Sequence, residues 1–113
     1  MESAAHRENE PNWTAAEKKV ARRAFDKAFE RNCAAIYAET RQMLKNTSAP
    51  TEIWRVQEYL YEQRRIIDRI YDYRYSMLLF VFARLLRDGW LTEVDLAGLH
   101  SDKIASIKAI ASV

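Results

Sequence analysis

The order of apolar and polar positions divides the chain into helices. Thr14-Ala-Ala-Glu17 has the spacing of a capping box, in which a threonine hydroxyl and a glutamate carboxylate satisfy backbone donors at a helix start. Behind it Val20, Ala24, Phe25, Ala28, Phe29, Cys33, Ile36, Thr40, Met43 and Leu44 recur at steps of three and four, so one apolar stripe runs to about Lys45. Asn46-Thr-Ser-Ala-Pro50 stops that helix. A second helix is predicted over 51–74, with Glu52 in its first turn and Ile53, Val56, Leu60, Ile67 and Ile70 along one side. From Met77 to Leu86 the sequence is apolar all round, as in a helix buried on every side. That helix is predicted over 75–88, closed by Asp88-Gly89. Thr92-Glu-Val-Asp95 is predicted to cap a short helix over 92–99, and Ser101-Asp102 a last one over 101–111 that turns Ile104, Ile107 and Ile110 or Ala111 inward. Residues 1–12 carry little apolar content and read as a disordered tail, leaving 13–113 as one all-helical domain.

Helix length argues for association. A first helix over 14–45 would be ~48 Å long, whereas a compact chain of this size has a radius of gyration of ~13 Å. Two long helices cannot hide both stripes from water, and a two-fold homodimer around Ile53, Val56 and Leu60 is the commonest remedy. The alternative is an elongated monomeric hairpin with a globular end.

Composition narrows the class. With 113 residues and 49% hydrophobic content the chain builds one modest core, and two glycines and two prolines leave nearly everything after Pro50 free to be helical. The net charge of +2 arises from 18 basic and 16 acidic residues mixed along the chain, which does not favour nucleic acid as a partner. The polar start, Met1 to Pro11, is unlike a signal peptide, and the longest apolar run, Met77 to Ala83, is far short of the ~20 residues that span a bilayer. The reading is a cytoplasmic protein without membrane insertion. Cys33 has no partner for a disulfide and is expected as a buried small apolar residue.

Candidate chemistry is sparse. His6 and His100 have no ligand-spaced Cys or carboxylate around them, so no metal is expected. Gly89 and Gly98 make no phosphate loop, and no cofactor is expected. Glu58, Glu62, Asp68 and Asp72 lie among Arg55, Arg64, Arg65, Arg69 and Arg74 at pairing distance, which suits solvated salt bridges better than a general acid and base. The chain therefore reads as a binding protein, not an enzyme.

On a helix turning about 100° per residue, Trp54, Gln57, Glu58, Tyr61 and Arg65, with Arg64 at the border, form a stripe beside the packing side. Large rings next to a carboxylate and a guanidinium are typical of protein-binding hot spots. Trp54 could instead pack on the first helix or across the dimer. Tyr71, Tyr73 and Tyr75 alternate, and on a helix alternate positions diverge, so they should not form one stacking platform for nucleic acid.

Several segments form an ordered set: Trp13 and Ala24-Phe25-x-Lys27-Ala28-Phe29-x-Arg31, then Trp54, Leu60 and Arg64, then Ile67-Asp68 through Tyr71-Asp72-x-Arg74. The set continues in Phe80-Val81-Phe82-Ala83-x-Leu85-Leu86-x-x-Gly89 and in Asp102-Lys103 with Ile107-Lys108-Ala109. In these segments the chain resembles the fluorescence recovery protein family of cyanobacteria. The resemblance implies an all-α fold, with a stalk of two long helices and a small helical globular end, assembled as an antiparallel homodimer. It implies binding to the light-activated orange carotenoid protein at its C-terminal domain. The bound protein would return faster to its resting form, ending phycobilisome quenching, in the cytoplasm or at the thylakoid surface. The implied contact patch is Trp54, Glu58 and Arg64 with Phe80, whereas the dimer contact expected at Ile53, Trp54, Val56 and Leu60 rests on the apolar stripe and its need of cover. The chain departs from the family at Gln57-Glu58, where a His-Asp pair is usual, and at Ser106, where a lysine is common. A different protein partner for the same helical dimer is the second reading.

Overall fold

The structure, a computed structural model, describes residues 12–113. Of the expected tail only Asn12 lies within that range, and its carbonyl accepts a hydrogen bond from Lys103 Nζ. Among the described residues four α-helices form: α1 (Ala15–Lys45), α2 (Ile53–Ile70), α3 (Leu78–Arg87) and α4 (Ser101–Ala111). Short 3-10 turns occur at Pro50–Glu52 and Glu93–Leu96, and no strand forms among the described residues.

The capping box closes as the sequence predicts. Thr14 Oγ1 accepts from Glu17 N at 3.1 Å, and Glu17 Oε1 accepts from Thr14 N at 3.0 Å. The stripe of α1 is continuous but swings around the helix. Glu17, Ala21, Ala24, Phe25, Ala28 and Asn32 are buried, whereas Cys33, Ile36, Thr40 and Met43 are only half-buried and Leu44 is exposed. At about 100° per residue the second group is centred roughly a quarter-turn from the first. The near half of α1 packs on the C-terminal elements and the far half only on α2. Cys33 is thus half-buried rather than buried as expected.

Three predicted boundaries need correction. The second helix ends at Ile70, not near Arg74, because the chain after it runs non-helically through Tyr71–Arg74 before turning into α3. In this stretch alternate side chains share a side, so Tyr71, Tyr73 and Tyr75 all fold onto α1. Tyr71 and Tyr73 meet Phe25 edge-on at ring distances of 5.4 and 4.9 Å, Tyr71 meets Phe29 at 5.3 Å, and Tyr75 meets Trp13 at 5.8 Å. The tyrosines do form one row, and the row is spent on internal packing. Second, no helix spans 92–99. The turn Glu93–Leu96 ends when Ala97 takes ψ 130° and Gly98 a φ of 108°. Third, α4 is capped by His100, whose Nδ1 accepts from Asp102 N at 3.1 Å, rather than by Ser101.

The core gathers the near half of α1 with α3, the Trp90–Leu99 loop and α4. Leu78, Phe82, Leu85, Leu91, Leu96 and Ile107 are fully enclosed, with Ile104, Ile110 and Ala111 packed against them. The expectation that α3 is buried on every side fails at Phe80, which is 57% exposed, and at the half-buried Leu79 and Leu86. A ten-residue helix lying at the edge of a small head has one face with nothing to cover it. The molecule measures 62 × 30 × 27 Å with a radius of gyration of 17.8 Å, well above the ~13 Å of a compact chain. Among the described residues no helix is long and apolar enough to cross a membrane.

Candidate partner-binding face

The α1–α2 hairpin sets which side of α2 meets solvent. Val56 and Ile70 are buried and Tyr59, Gln63 and Ile67 half-buried, so the inward line is rotated by roughly 50° from the one predicted through Ile53, Val56, Leu60 and Ile67. Ile53 and Leu60 are consequently 50% and 41% exposed. Val56, expected at the dimer contact, is already enclosed within the chain and lines a cleft with Met43 and Thr47.

Trp54, Gln57, Glu58, Tyr61 and Arg64 are all exposed on α2, Trp54 by 66%. Trp54 therefore does not pack on the first helix of its own chain. Gln57, Glu58, Tyr61 and Glu62 line one shallow depression. Arg64 Nε donates to Asp68 Oδ1 at 3.0 Å, which orients the guanidinium and leaves both Nη groups without a bond among the described residues. Arg65 pairs with Glu62 at 3.2 Å. Toward the head, Phe25, Phe29 and Tyr71 floor an open groove of about 450 Å³ between α1 and α2, walled by the Arg22–Asp26 and Arg64–Asp68 pairs. Phe80 does not join this row. It stands on α3, beyond the tyrosine connector.

Two carboxylates lock the head onto α1. Burial alone would raise the Glu17 carboxyl, but hydrogen bonds from the Thr14 and His100 backbones and from Lys103 outweigh it and hold it at about 2. The His100 amide donates at 2.8 Å and Lys103 Nζ at 3.1 and 3.2 Å. Asp95 is held at about 2, first by Arg31 and then, against burial, by Thr92. Arg31 donates to both Asp95 oxygens at 2.8 and 3.2 Å and to the Trp90 carbonyl at 3.0 Å. Burial, aided by neighbouring Tyr75, pushes the Tyr73 hydroxyl up to about 12. Of this lock the sequence marked Thr14 with Glu17 and Thr92 with Asp95 as caps, but no spacing in it pairs Arg31 with Asp95 or Lys103 with Glu17. Among the described residues no group of His, Cys, Asp or Glu is placed to hold a metal ion.

A helical hairpin with a small head, carrying an exposed aromatic and charged row on one of its long helices, defines an all-α hairpin-and-head protein. Residues 13–111 match the family described as "Photoprotection regulator fluorescence recovery protein", and the chain belongs to this family. It is 33% identical over 102 residues to the fluorescence recovery protein of Synechocystis sp. (strain ATCC 27184 / PCC 6803 / Kazusa), covering 90% of this chain and 94% of that relative. The solved fluorescence recovery protein of Fremyella diplosiphon superposes with a TM-score of 0.83 at 39% identity, over 90% of this chain and all of that one. The Synechocystis sp. PCC 6803 structure gives 0.84 at 32% identity with the same coverage.

Proposed function

We propose that this photoprotection regulator binds the light-activated orange carotenoid protein at its C-terminal domain and speeds its return to the resting form, so that phycobilisome quenching ends. The observation that carries the reading is the solvent-facing row Trp54, Gln57, Glu58, Tyr61 and Arg64, two large exposed rings set among a carboxylate and a directed guanidinium. Phe80 supplies a second contact from the head. A binding protein shifts an equilibrium only as far as it prefers one state, and here it must also lower the barrier between states. No cofactor and no covalent step is needed. The chain acts as a homodimer in this reading, joined along Ile53 and Leu60, whose exposed apolar surface argues for a second copy, with Trp54 at the edge of that contact and still open to the partner.

Dark recovery of the light-activated carotenoid protein, followed by absorbance with and without this protein, tests the reading. Faster recovery supports it. Equal rates would redirect the same face to another protein partner, the alternative that the Gln57-Glu58 pair favours.

A further inference from the structure

Arg31 and Asn32 are neighbours on α1, and their side chains hold the chain on either side of α3, at the close of α2 before it and in the loop after it. Asn32 Nδ2 donates to Tyr71 Oη at 3.2 Å, on the connector that enters α3. Arg31 holds the Trp90 carbonyl and Asp95, on the loop that leaves it. Between these points α3 is packed by Leu78, Val81, Phe82 and Leu85. Such apolar contacts are not directional, so burial alone defines the height and roll of a helix less sharply than directed bonds do. Hydrogen bonds are directional and fix a register. Asn32 is 6% exposed, and the Asp95 side chain likewise, so water does not readily replace either bond.

We propose that Arg31 and Asn32 are positioning residues that set α3, and with it Phe80, at a fixed height and roll relative to the Trp54–Arg64 row of α2. The partner then meets two surfaces held in one geometry. The α2 row supplies affinity, and Phe80 at a set distance from it supplies the push toward the resting state. Neither Arg31 nor Asn32 touches the partner. The inference rests on the carotenoid-protein reading for its consequence, but the device itself lies within the chain.

Two variants loosen the anchors that precede and follow α3. Tyr71→Phe removes only the hydroxyl and keeps the ring against Phe25 and Phe29. Asp95→Asn removes the charge that Arg31 holds. Amide hydrogen exchange over 78–91 is measured first, without partner. Each variant should exchange about tenfold faster there while its circular dichroism and mass match the parent. With light-activated carotenoid protein, each should bind within about twofold of the parent yet accelerate dark recovery about tenfold less. Unchanged exchange in the variant that stays folded would overturn the device. Loss of affinity in proportion to loss of rate would overturn the positioning role, since that is the behaviour of contact residues. A parent that neither binds nor accelerates would sink the carotenoid-protein reading and leave the exchange result to decide the device alone.

Discussion

Glu17, in the first turn of α1, and Lys103, in the first turn of α4, form an ion pair at 3.1 Å with only 6% and 11% of their side chains exposed. The pair joins the two ends of the described chain and takes in the His100 amide on the way. Glu17→Gln would leave the Lys103 ammonium enclosed without its counter-charge, at a cost of about 3 kcal/mol or more. Chemical denaturation should show the unfolding free energy falling by that amount, through a lower midpoint at unchanged slope. A change under about 1 kcal/mol would mean that the pair is no anchor.

Acid should loosen the head by a predictable route. Glu17 and Asp95 ordinarily titrate at 4.5 and 3.8 and are depressed to about 2 in the fold. As pH falls the unfolded chain takes up protons before the native one, so stability is whole above about pH 5 and is lost between there and about pH 2. Glu17 alone accounts for roughly 2 to 3 kcal/mol of that loss. Urea melts at pH 7, 4 and 3 check the sign and the window, with the Glu17→Gln variant showing a flatter dependence.

Ile53→Glu should yield monomers of normal helicity by light scattering, because Ile53 is half exposed in the single chain and its charge costs several kcal/mol only where a second copy covers it. Val56→Glu should instead unfold the hairpin, since Val56 is enclosed within it. A folded Ile53→Glu protein of unchanged dimer mass would remove Ile53 from the interface.

Arg64→Lys separates a contact from a solvated charge. The Arg64–Asp68 pair has side chains 78% and 62% exposed and contributes ~0–1 kcal/mol, so the melting temperature should stay within a degree or two. A lysine cannot offer two parallel donors, and binding to the light-activated carotenoid protein should weaken about tenfold. Equal affinities by calorimetry would return Arg64 to the solvated surface.

The two glycines should respond unequally. Gly98 has φ 108°, and a Cβ there would stand 2.7 Å from Val20 Cγ2, on a stiff β-branched side chain. Gly98→Ala should cost about 2 kcal/mol or more, through strain and collision together. Gly89, at φ 85° with open space around it, should cost only about 1 kcal/mol on the same change. Thermal melts of both variants give the comparison.

What could be read from the chain was local. Thr14 and Glu17 announced their own cap, and steps of three and four traced α1 and most of α2. The break after Ile70 was invisible because no glycine or proline marks it. Tyr71, Tyr73 and Tyr75 leave the helix since Phe25, Phe29 and Trp13, over forty residues earlier, offer rings to pack on. The candidate face was legible in its members but not in its borders. Ile53 and Leu60 fall beside Trp54 because the hairpin rolls α2 toward Val56 and Ile70, a choice made by the shape of α1. Arg31 looked like any surface cation until the loop carrying Asp95 came to rest beside it.

The quarter-turn swing of the apolar line makes α1 a single rod running through two cooperative units of unequal strength. Up to Asn32 it is clamped by the head, and from Cys33 to Lys45 it leans on α2 alone. Local opening begins where few buried contacts resist it, so the helix frays inward from Lys45 and halts at Asn32 until the head itself gives way. Tyr37, Leu44 and Ile53 are exposed at that weaker end, so a second copy laid over them would lend order to the hairpin tip, and its removal would release the tip while leaving the head intact.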